Sequence, residues 1–271
     1  MFLKPIIVAT GLSLVVAACA IVPRQEDEAL RQAVASPART PAFVARDTYR
    51  KPYEVLHFFG IEQDDTVVEI SPGGGYWTEI LAPYLHDRGT YYAAQYPREG
   101  GGRPYYRQYY DNFRAKLDAD PGKYGKVQVT AFGKGHYDIA PPGSADLVVT
   151  FRNLHNWMRD GYAEAAFAAF YKALKPGGVL GIEAHRGRDD RPQDPQAADG
   201  YVRQDYAIRL ARQAGFVLEG SSELLANPRD TKDHPAGVWT LPPTYRLGDK
   251  DRERYAAIGE ADGLLLKFRK P

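Results

Sequence analysis

Short apolar runs alternate with amphipathic segments along most of the chain. The apolar runs have the length of buried strands and lie at 66–70, 90–94, 127–132, 145–151, 179–184, 216–225 and 263–268. The segments between them carry apolar residues at helical spacing, at 76–86, 105–117, 162–174 and 201–214. Strands that alternate with helices predict an α/β fold with a mostly parallel sheet and helices on both faces.

The remaining stretches have other patterns. Residues 53–59 have near-helical apolar spacing, and Gly60 is predicted to cap that helix. Two long segments, 186–198 and 226–258, are rich in Pro, Asp and Arg. We expect them to be functional lids or irregular coverings, because unstructured loops of that length are uncommon in compact domains.

The first residues are typical of an export signal. Lys4 precedes an apolar run at 6–18, which is too short to span a bilayer, and the run ends in "VAAC". This ending resembles a bacterial lipobox, which predicts a signal peptide over 1–19 and a lipid on Cys19. Ordinary cleavage after "ACA" and an uncleaved anchor are the alternatives. We therefore expect an exported, periplasmic protein anchored to the outer membrane, with a tether over 20–40 and a folded domain over 41–271.

Charge and cysteine content exclude several classes of function. The 35 Lys and Arg residues nearly balance the 34 Asp and Glu residues, so no polyanion-binding surface and no nucleic-acid partner are expected. Cys19 is the single cysteine, so the domain has no disulfide and no cysteine ligand for a metal. The sequence does not indicate an oligomeric state.

The stretch "VVEISPGGGYW" joins a predicted strand directly to three glycines. It is therefore a strand-to-helix turn at the carboxyl edge of the sheet, where ligands bind in open α/β folds. A phosphate-binding Walker loop is excluded, since no Gly-Lys-Ser/Thr sequence follows. A dinucleotide-binding loop fits Gly73 and Gly75 but has Thr78 in place of the third glycine.

Three segments resemble class I S-adenosylmethionine (SAM) dependent methyltransferases. The spacing of Glu69, Ser71, Gly73 and Gly75 is similar to the family's glycine loop. "ALKPGGVLGIEAHR" resembles the turn and fifth strand, and "ADLVVTFRNLHNW" the fourth strand with the segment after it. The resemblance covers about 40–271 and is closest to exported bacterial predicted methyltransferases. It implies a Rossmann-like, seven-stranded sheet with an antiparallel last strand, and SAM as the cofactor.

The resemblance also implies a set of cofactor-binding residues. Gln95 occupies the position at the end of the second strand where the family has an acid that binds the ribose, and Ser71 replaces a glycine. Tyr76 and Tyr96 are adjacent to these positions. The predicted cofactor-binding residues are Glu69, Ser71, Gly73, Gly75, Tyr76, Gln95, Tyr96, Phe132 and Asn153.

Polar residues after the fourth and fifth strands are the candidates for catalysis, because the ends of parallel strands meet at one edge. His155 is predicted as the general base, with Glu183 and His185 as further candidates. The acceptor is an unidentified small or envelope-associated molecule. Two alternatives remain: a non-catalytic binding module, and a metal-dependent enzyme using these three residues with or without His136 and Asp138.

Overall fold

The computed structural model describes residues 26–100 and 103–271. The strands in these residues are β1 (Thr66–Ile70), β2 (Thr90–Gln95), β3 (Gln128–Ala131), β4 (Ala145–Phe151), β5 (Leu174–His185), β6 (Val217–Ser222) and β7 (Gly263–Arg269). The helices are α1 (Glu28–Val34), α2 (Pro41–Val44), α3 (Asp47–Arg50), α4 (Pro52–Phe59), α5 (Thr78–Leu85), α6 (Tyr106–Asp118), α7 (Pro121–Tyr124), α8 (Leu154–Arg159), α9 (Ala163–Ala173), α10 (Gln204–Gln213) and α11 (Arg252–Ile258). A 3₁₀ turn lies at Gly237–Thr240.

The strands of the described residues form one sheet with the order β3-β2-β1-β4-β5-β7-β6. Strands β1 to β5 pair in parallel, and β7 runs antiparallel to both of its neighbours. The α/β prediction is confirmed, including the antiparallel last strand. Because the chain moves from β1 outward to β3 and then returns to β4 on the other side of β1, the strand order reverses beside β1. This reversal opens a crevice at the carboxyl ends of β1 and β4.

The apolar runs form central strands because both faces of the sheet are covered. Val67 faces the layer formed with α4 and α5, whereas Val68 faces the layer formed with α8 and α9, and both are fully buried. Close packing also explains why β5 has a glycine at position 181, since a Cβ at Gly181 would lie 2.7 Å from the ring of Phe59. Gly60 ends α4 with φ of 89°, as predicted for its cap.

The N-terminal helices belong to the folded domain. Leu30 of α1 is fully buried, and Asp27 accepts hydrogen bonds from the Leu30 amide (2.9 Å) and the Tyr84 hydroxyl. Arg39 is 3% exposed and binds both carboxylate oxygens of Asp47, at 2.6 and 2.9 Å. Packed contacts therefore begin by Asp27, within the segment that the sequence predicted as a tether over 20–40.

The long segment before β7 is ordered by a buried carboxylate. Asp230 accepts hydrogen bonds from the Tyr201 hydroxyl (2.9 Å), the Asp262 amide (2.8 Å) and the His234 ring (2.8 Å). The segment 226–258, which was expected to be a functional lid or an irregular covering, contains the 3₁₀ turn and α11. No helix within 26–100 or 103–271 has the length and apolarity needed to cross a membrane. The predicted signal peptide and Cys19 lie outside the described residues.

Candidate functional site

A cavity of about 790 Å³ lies in the crevice beside β1 and β4. Its floor consists of the turn after β1 and the residues that follow β4 and β5. Its walls come from three other parts of the chain: α2 and α3, the start of α6, and the loop around the 3₁₀ turn. A volume of this size suits a small-molecule site.

The glycine turn presents its backbone to this cavity. Ser71 and Gly73 have φ of 51° and 60°, and the position of a Cβ on Gly73 has no neighbour closer than the Ser71 carbonyl oxygen at 4.0 Å. Ser71, Gly73 and Gly74 line the cavity. Gly75 does not line it, and a Cβ there would lie 3.2 Å from Lys116 Cε. Gly73 therefore leaves space for a ligand, whereas Gly75 leaves space for α6.

Two residues at the end of β2, Gln95 and Tyr96, were predicted to bind the cofactor, and only Tyr96 lines the cavity. Gln95 is fully buried and does not line the cavity, because its Nε2 donates to the Gly73 carbonyl oxygen at 2.9 Å and its Oε1 accepts from the Tyr96 amide at 2.9 Å. Tyr96 lines the cavity, with its ring stacked on Tyr106 at a centroid distance of 4.3 Å. The structure thus assigns Gln95 to bracing the glycine turn and does not bring it to the ligand space.

Glu69 and Phe132 are both buried, and of the two only Glu69 lines the cavity. The Glu69 carboxylate accepts hydrogen bonds from the hydroxyls of Tyr91 and Thr78 (3.2 Å to Thr78). Burial raises the pKa of Glu69 to about 7, and these two hydrogen bonds oppose the increase. Phe132 is fully buried against Trp157 at a centroid distance of 5.4 Å, so it lies outside the cavity.

Asn153 and Tyr76 line the cavity and also fix its edges. Asn153 Nδ2 donates to the Ile70 carbonyl oxygen at 2.9 Å, which connects the end of β4 to the end of β1. The Tyr76 hydroxyl donates to Asp47 at 2.5 Å, which connects the glycine turn to α3.

The two predicted histidines lie side by side in the cavity, with their ring centroids 5.8 Å apart. Burial and the nearby charge of Arg159 lower the pKa of His155 to about 3, and His155 Nδ1 is buried with no partner among the described residues. Burial and the charge of Arg152 lower the pKa of His185 well below its usual value. Both imidazoles are therefore neutral near pH 7 and able to accept a proton.

Glu183, the third catalytic candidate, pairs with an arginine and does not line the cavity. Its Oε1 accepts from Arg152 Nε at 2.5 Å. Arg152 also donates to Glu260, which binds Arg46 through both carboxylate oxygens at 2.6 and 3.0 Å. Burial acts to raise the pKa of Glu260, but Arg152 and Arg46 outweigh it and hold this pKa at about 2. Glu183 and Glu260 therefore neutralise Arg152 and Arg46.

Arg46, Arg50 and Arg152 form an arginine cluster around Glu260, and Arg50 is the member of the three that has no hydrogen bond to a carboxylate of the described residues. Its side chain is 12% exposed and makes no hydrogen bond within the described part of the chain, and the nearest carboxylate oxygen, on Glu260, is 4.0 Å from its Nε. Its guanidinium lies 4.3 Å from the centre of the Tyr76 ring. Burial, together with the charges of Arg152 and Arg46, lowers the pKa of Arg50 to about 9.

No protein-family model and no curated protein sequence matches this chain. Solved structures do match. A SAM dependent methyltransferase from Aquifex aeolicus has a TM-score of 0.56 at 13% identity, covering 84% of this chain and 93% of that one. CrArsM, an arsenic (III) SAM methyltransferase from Chlamydomonas reinhardtii, has a TM-score of 0.51 at 16% identity, covering 89% and 73%. The protein has the Rossmann-like methyltransferase fold.

The methyltransferase fold alone does not determine the reaction. The [4+2]-cyclase SpnF has a TM-score of 0.55 to this chain at 15% identity, covering 89% of this chain and 91% of that one. The function therefore depends on what the cavity can bind and hold in place.

On this methyltransferase fold, the cavity walls contain residues that the sequence analysis missed. Arg46 and Arg50 come from the segment before α4, and Trp239 and Arg246 come from the loop around the 3₁₀ turn. The guanidinium of Arg246 lies 4.5 Å from the centre of the Trp239 ring, and this ring lies 5.6 Å from that of His155. The four-residue spacing of Arg46 and Arg50 is a sequence signal that could have suggested that the two side chains lie close together.

The proposed metal site does not form in the described residues. No group of three or more His, Cys, Asp or Glu side chains in residues 26–100 and 103–271 is close enough to hold a metal ion. Glu183 is paired with Arg152, and Asp138 is exposed and binds Lys172 at 2.8 Å. The metal alternative therefore has no support from the geometry.

Proposed function

We propose that the protein is a SAM-dependent methyltransferase. The observation that carries this proposal is the open backbone cradle at Gly73, which faces the cavity at the reversal of strand order. The fold supports it, because the Aquifex aeolicus and Chlamydomonas reinhardtii structures described above are methyltransferases by name. The mechanism requires little beyond alignment of a methyl donor and an acceptor, and alignment alone contributes on the order of 7 to 11 kcal/mol.

The lining residues fit the cofactor. Gly73 and Gly74 allow close approach of a ligand to the backbone, and Tyr96 offers an aromatic face at the end of β2. Aromatic faces attract cations, including a sulfonium. When bound, SAM supplies an electrophilic methyl carbon; the acceptor's lone pair forms the new bond, and the electrons of the broken carbon–sulfur bond remain on a neutral thioether.

The histidines are the groups that would receive the acceptor's proton. His155 and His185 are neutral and line the cavity, so both are in the protonation state of a base. A pKa of about 3 makes His155 a weak base until a negative charge lies beside it. Glu183 is not assigned this role, because Arg152 already binds it.

Calorimetric titration of the purified domain with SAM and with its demethylated product, S-adenosylhomocysteine, tests the proposal. We expect Gly73→Ala to weaken binding of both ligands by at least about tenfold, since the new methyl group enters the cradle. Gly143→Ala is the matched control. Gly143 has nearly the same backbone angle (φ 67°) and open space around it, but does not line the cavity. Absence of binding to the wild-type protein at millimolar ligand would disprove the proposal.

A non-catalytic ligand-binding module is the second candidate. It is favoured by Gln95, which leaves the end of β2 without an acid for the ribose and points away from the cavity. Mass spectrometry of candidate acceptors after incubation with SAM distinguishes the two: a binding module retains ligand but transfers no methyl group.

We also propose that the protein is exported and anchored by a lipid on Cys19, and that its acceptor belongs to the cell envelope. The support is the n-region, the apolar run and the "VAAC" sequence. Mass spectrometry of the mature N-terminus tests this. A mature chain that begins at an unmodified residue other than Cys19 would exclude the lipid anchor.

A further inference from the structure

The cavity has more positive charge than its acidic neighbours neutralise. Among the described residues, the arginines that line it are Arg46, Arg50, Arg103, Arg152, Arg159 and Arg246. The carboxylates that pair with them are Glu183, Glu260 and Asp160. Three positive charges therefore remain. Glu69, the one acid that lines the cavity, is hydrogen-bonded to Tyr91 and offsets at most one of them.

Bound SAM would not remove this excess. The molecule has a sulfonium and an ammonium group against a single carboxylate, so its net charge is positive. Even if one arginine binds the cofactor's carboxylate, the filled cavity has more positive charge than before. Buried like charges raise the free energy of the folded protein unless an anion neutralises them. The excess therefore indicates that a second ligand brings negative charge.

Arg50 is the arginine best placed to bind that charge. It lines the cavity, and none of its guanidinium donors forms a hydrogen bond with the described residues. Its position is fixed, because the guanidinium packs on the Tyr76 ring and Tyr76 is held in turn by Asp47. A planar guanidinium with free donors matches the two oxygens of a carboxylate or phosphate.

We propose that the methyl acceptor carries an acidic group, a carboxylate or a phosphate, which Arg50 binds in this cavity. The assignment of this ligand as the acceptor depends on the proposed methyltransferase function, whereas the anion site itself does not. Arg50 lines the same cavity as His185, whose ring centroid lies 5.8 Å from that of His155. The acidic group would therefore be seated near both imidazoles. Its charge would favour their protonation and so make them stronger bases.

Phenyl phosphate and benzoate are suitable probes for the anion site, and benzamide is the neutral counterpart of benzoate. Each is titrated by calorimetry into the wild-type domain in the presence and absence of saturating S-adenosylhomocysteine. We expect one or both anions to bind and to remain bound when S-adenosylhomocysteine is present, with benzamide at least about tenfold weaker than benzoate. Wild-type protein that binds neither anion at millimolar concentration overturns the proposal.

Variants at Arg50 test whether this residue binds the anion. Arg50→Gln should weaken binding of the anion by at least about tenfold and leave the affinity for S-adenosylhomocysteine within about twofold. Arg50→Lys retains the charge, should lose less, and keeps the test valid if Arg50→Gln does not fold. Arg114→Gln is the matched control, since Arg114 is a partly exposed arginine of α6 that pairs with Asp118 and does not line the cavity.

The remaining outcomes separate the two proposals. If the Arg50 variants lose S-adenosylhomocysteine but retain the anion, Arg50 serves the cofactor and the proposal is overturned. If the wild-type protein binds the anion through Arg50 but binds neither SAM nor S-adenosylhomocysteine, the anion site is supported and the methyltransferase function alone is overturned.

Discussion

Gln95 and Gly73 connect two strand ends: the side-chain amide of Gln95, the last residue of β2, donates to the Gly73 carbonyl oxygen in the turn after β1, at 2.9 Å. The second half of the same amide accepts from the Tyr96 backbone, so both ends of the Gln95 side chain are used. Gln95, which the sequence resemblance predicted to contact the ribose, instead holds the shape of the cradle.

Gln95→Glu tests this connection, because it keeps the side-chain shape and replaces the donor by a carboxylate oxygen. We expect the free energy of unfolding to decrease by about 1 to 3 kcal/mol, since the Gly73 carbonyl oxygen would face a second acceptor. Urea unfolding at pH 7 measures the change. Gln108→Glu, on the exposed side of α6, is the control and should change stability by less than about 0.5 kcal/mol. Equal stabilities of the two variants would mean that the connection contributes little.

The arginine cluster predicts a large effect of removing one carboxylate. Glu260→Gln leaves Arg46 and Arg152 buried without their shared partner, and we expect a loss of about 3 to 5 kcal/mol at pH 7. Because the pKa of Glu260 is lowered to about 2, its contribution is present above pH 4.5 and disappears as the pH falls toward 2. The difference between the wild type and the variant should therefore shrink in acid. Asp190→Asn, which breaks a solvent-exposed pair with Arg188, is the control and should change stability far less than Glu260→Gln does.

The lowered pKa of His155 predicts that the folded protein loses stability in mild acid. The folded protein lowers the pKa of His155 from 6.5 to about 3, so between these values the unfolded chain takes up a proton that the folded protein does not. We expect the free energy of unfolding of the wild type to fall, relative to His155→Gln, by about 1.4 kcal/mol for each pH unit below 6. Denaturation curves at pH 7, 6 and 5 measure the difference. Parallel pH profiles would show that the imidazole is not kept neutral.

The N-terminal helices predict where the domain can be shortened. A chain that starts at Pro41 loses the burial of Leu30, which alone is worth about 1.5 to 3 kcal/mol, and the ion pair of Arg39 with Asp47. We expect it to be at least about 3 kcal/mol less stable than a chain that starts at Glu26. Thermal unfolding monitored by circular dichroism compares the two. Similar midpoints would support the boundary that the sequence suggested at 40/41.

Local patterns predicted the sheet well, because burial on both faces imposes continuous apolar runs on its central strands. β1 was predicted over 66–70 and is found at Thr66–Ile70. The side-chain directions at the site were less predictable. Gly75 and Gln95 have the residue types and spacing of ligand contacts, yet Gly75 faces Lys116 and Gln95 faces Gly73. The contacts of Gly75 depend on α6, and those of Gln95 depend on the glycine turn. Each of these elements is distant in sequence from the residue that it contacts.

The cavity walls were the least predictable part, since they come from segments without a strand or long-helix pattern. Arg50 precedes β1 and Trp239 lies far along the chain, and only the folded sheet brings both to one crevice. A single cationic residue in the sequence also gives no sign of whether it has a partner. The difference between Arg152, with two carboxylates, and Arg50, with none in hydrogen-bond range, is a property of the tertiary structure.

The packing of α1 sets a limit on position relative to a membrane. If Cys19 carries a lipid, only about eight residues separate it from Asp27, where the packed region has begun, and a fully extended chain of that length reaches about 28 Å. The domain would then be confined to a shell at the bilayer surface roughly one protein diameter deep. In that shell it would meet lipid headgroups far more often than a domain without an anchor would.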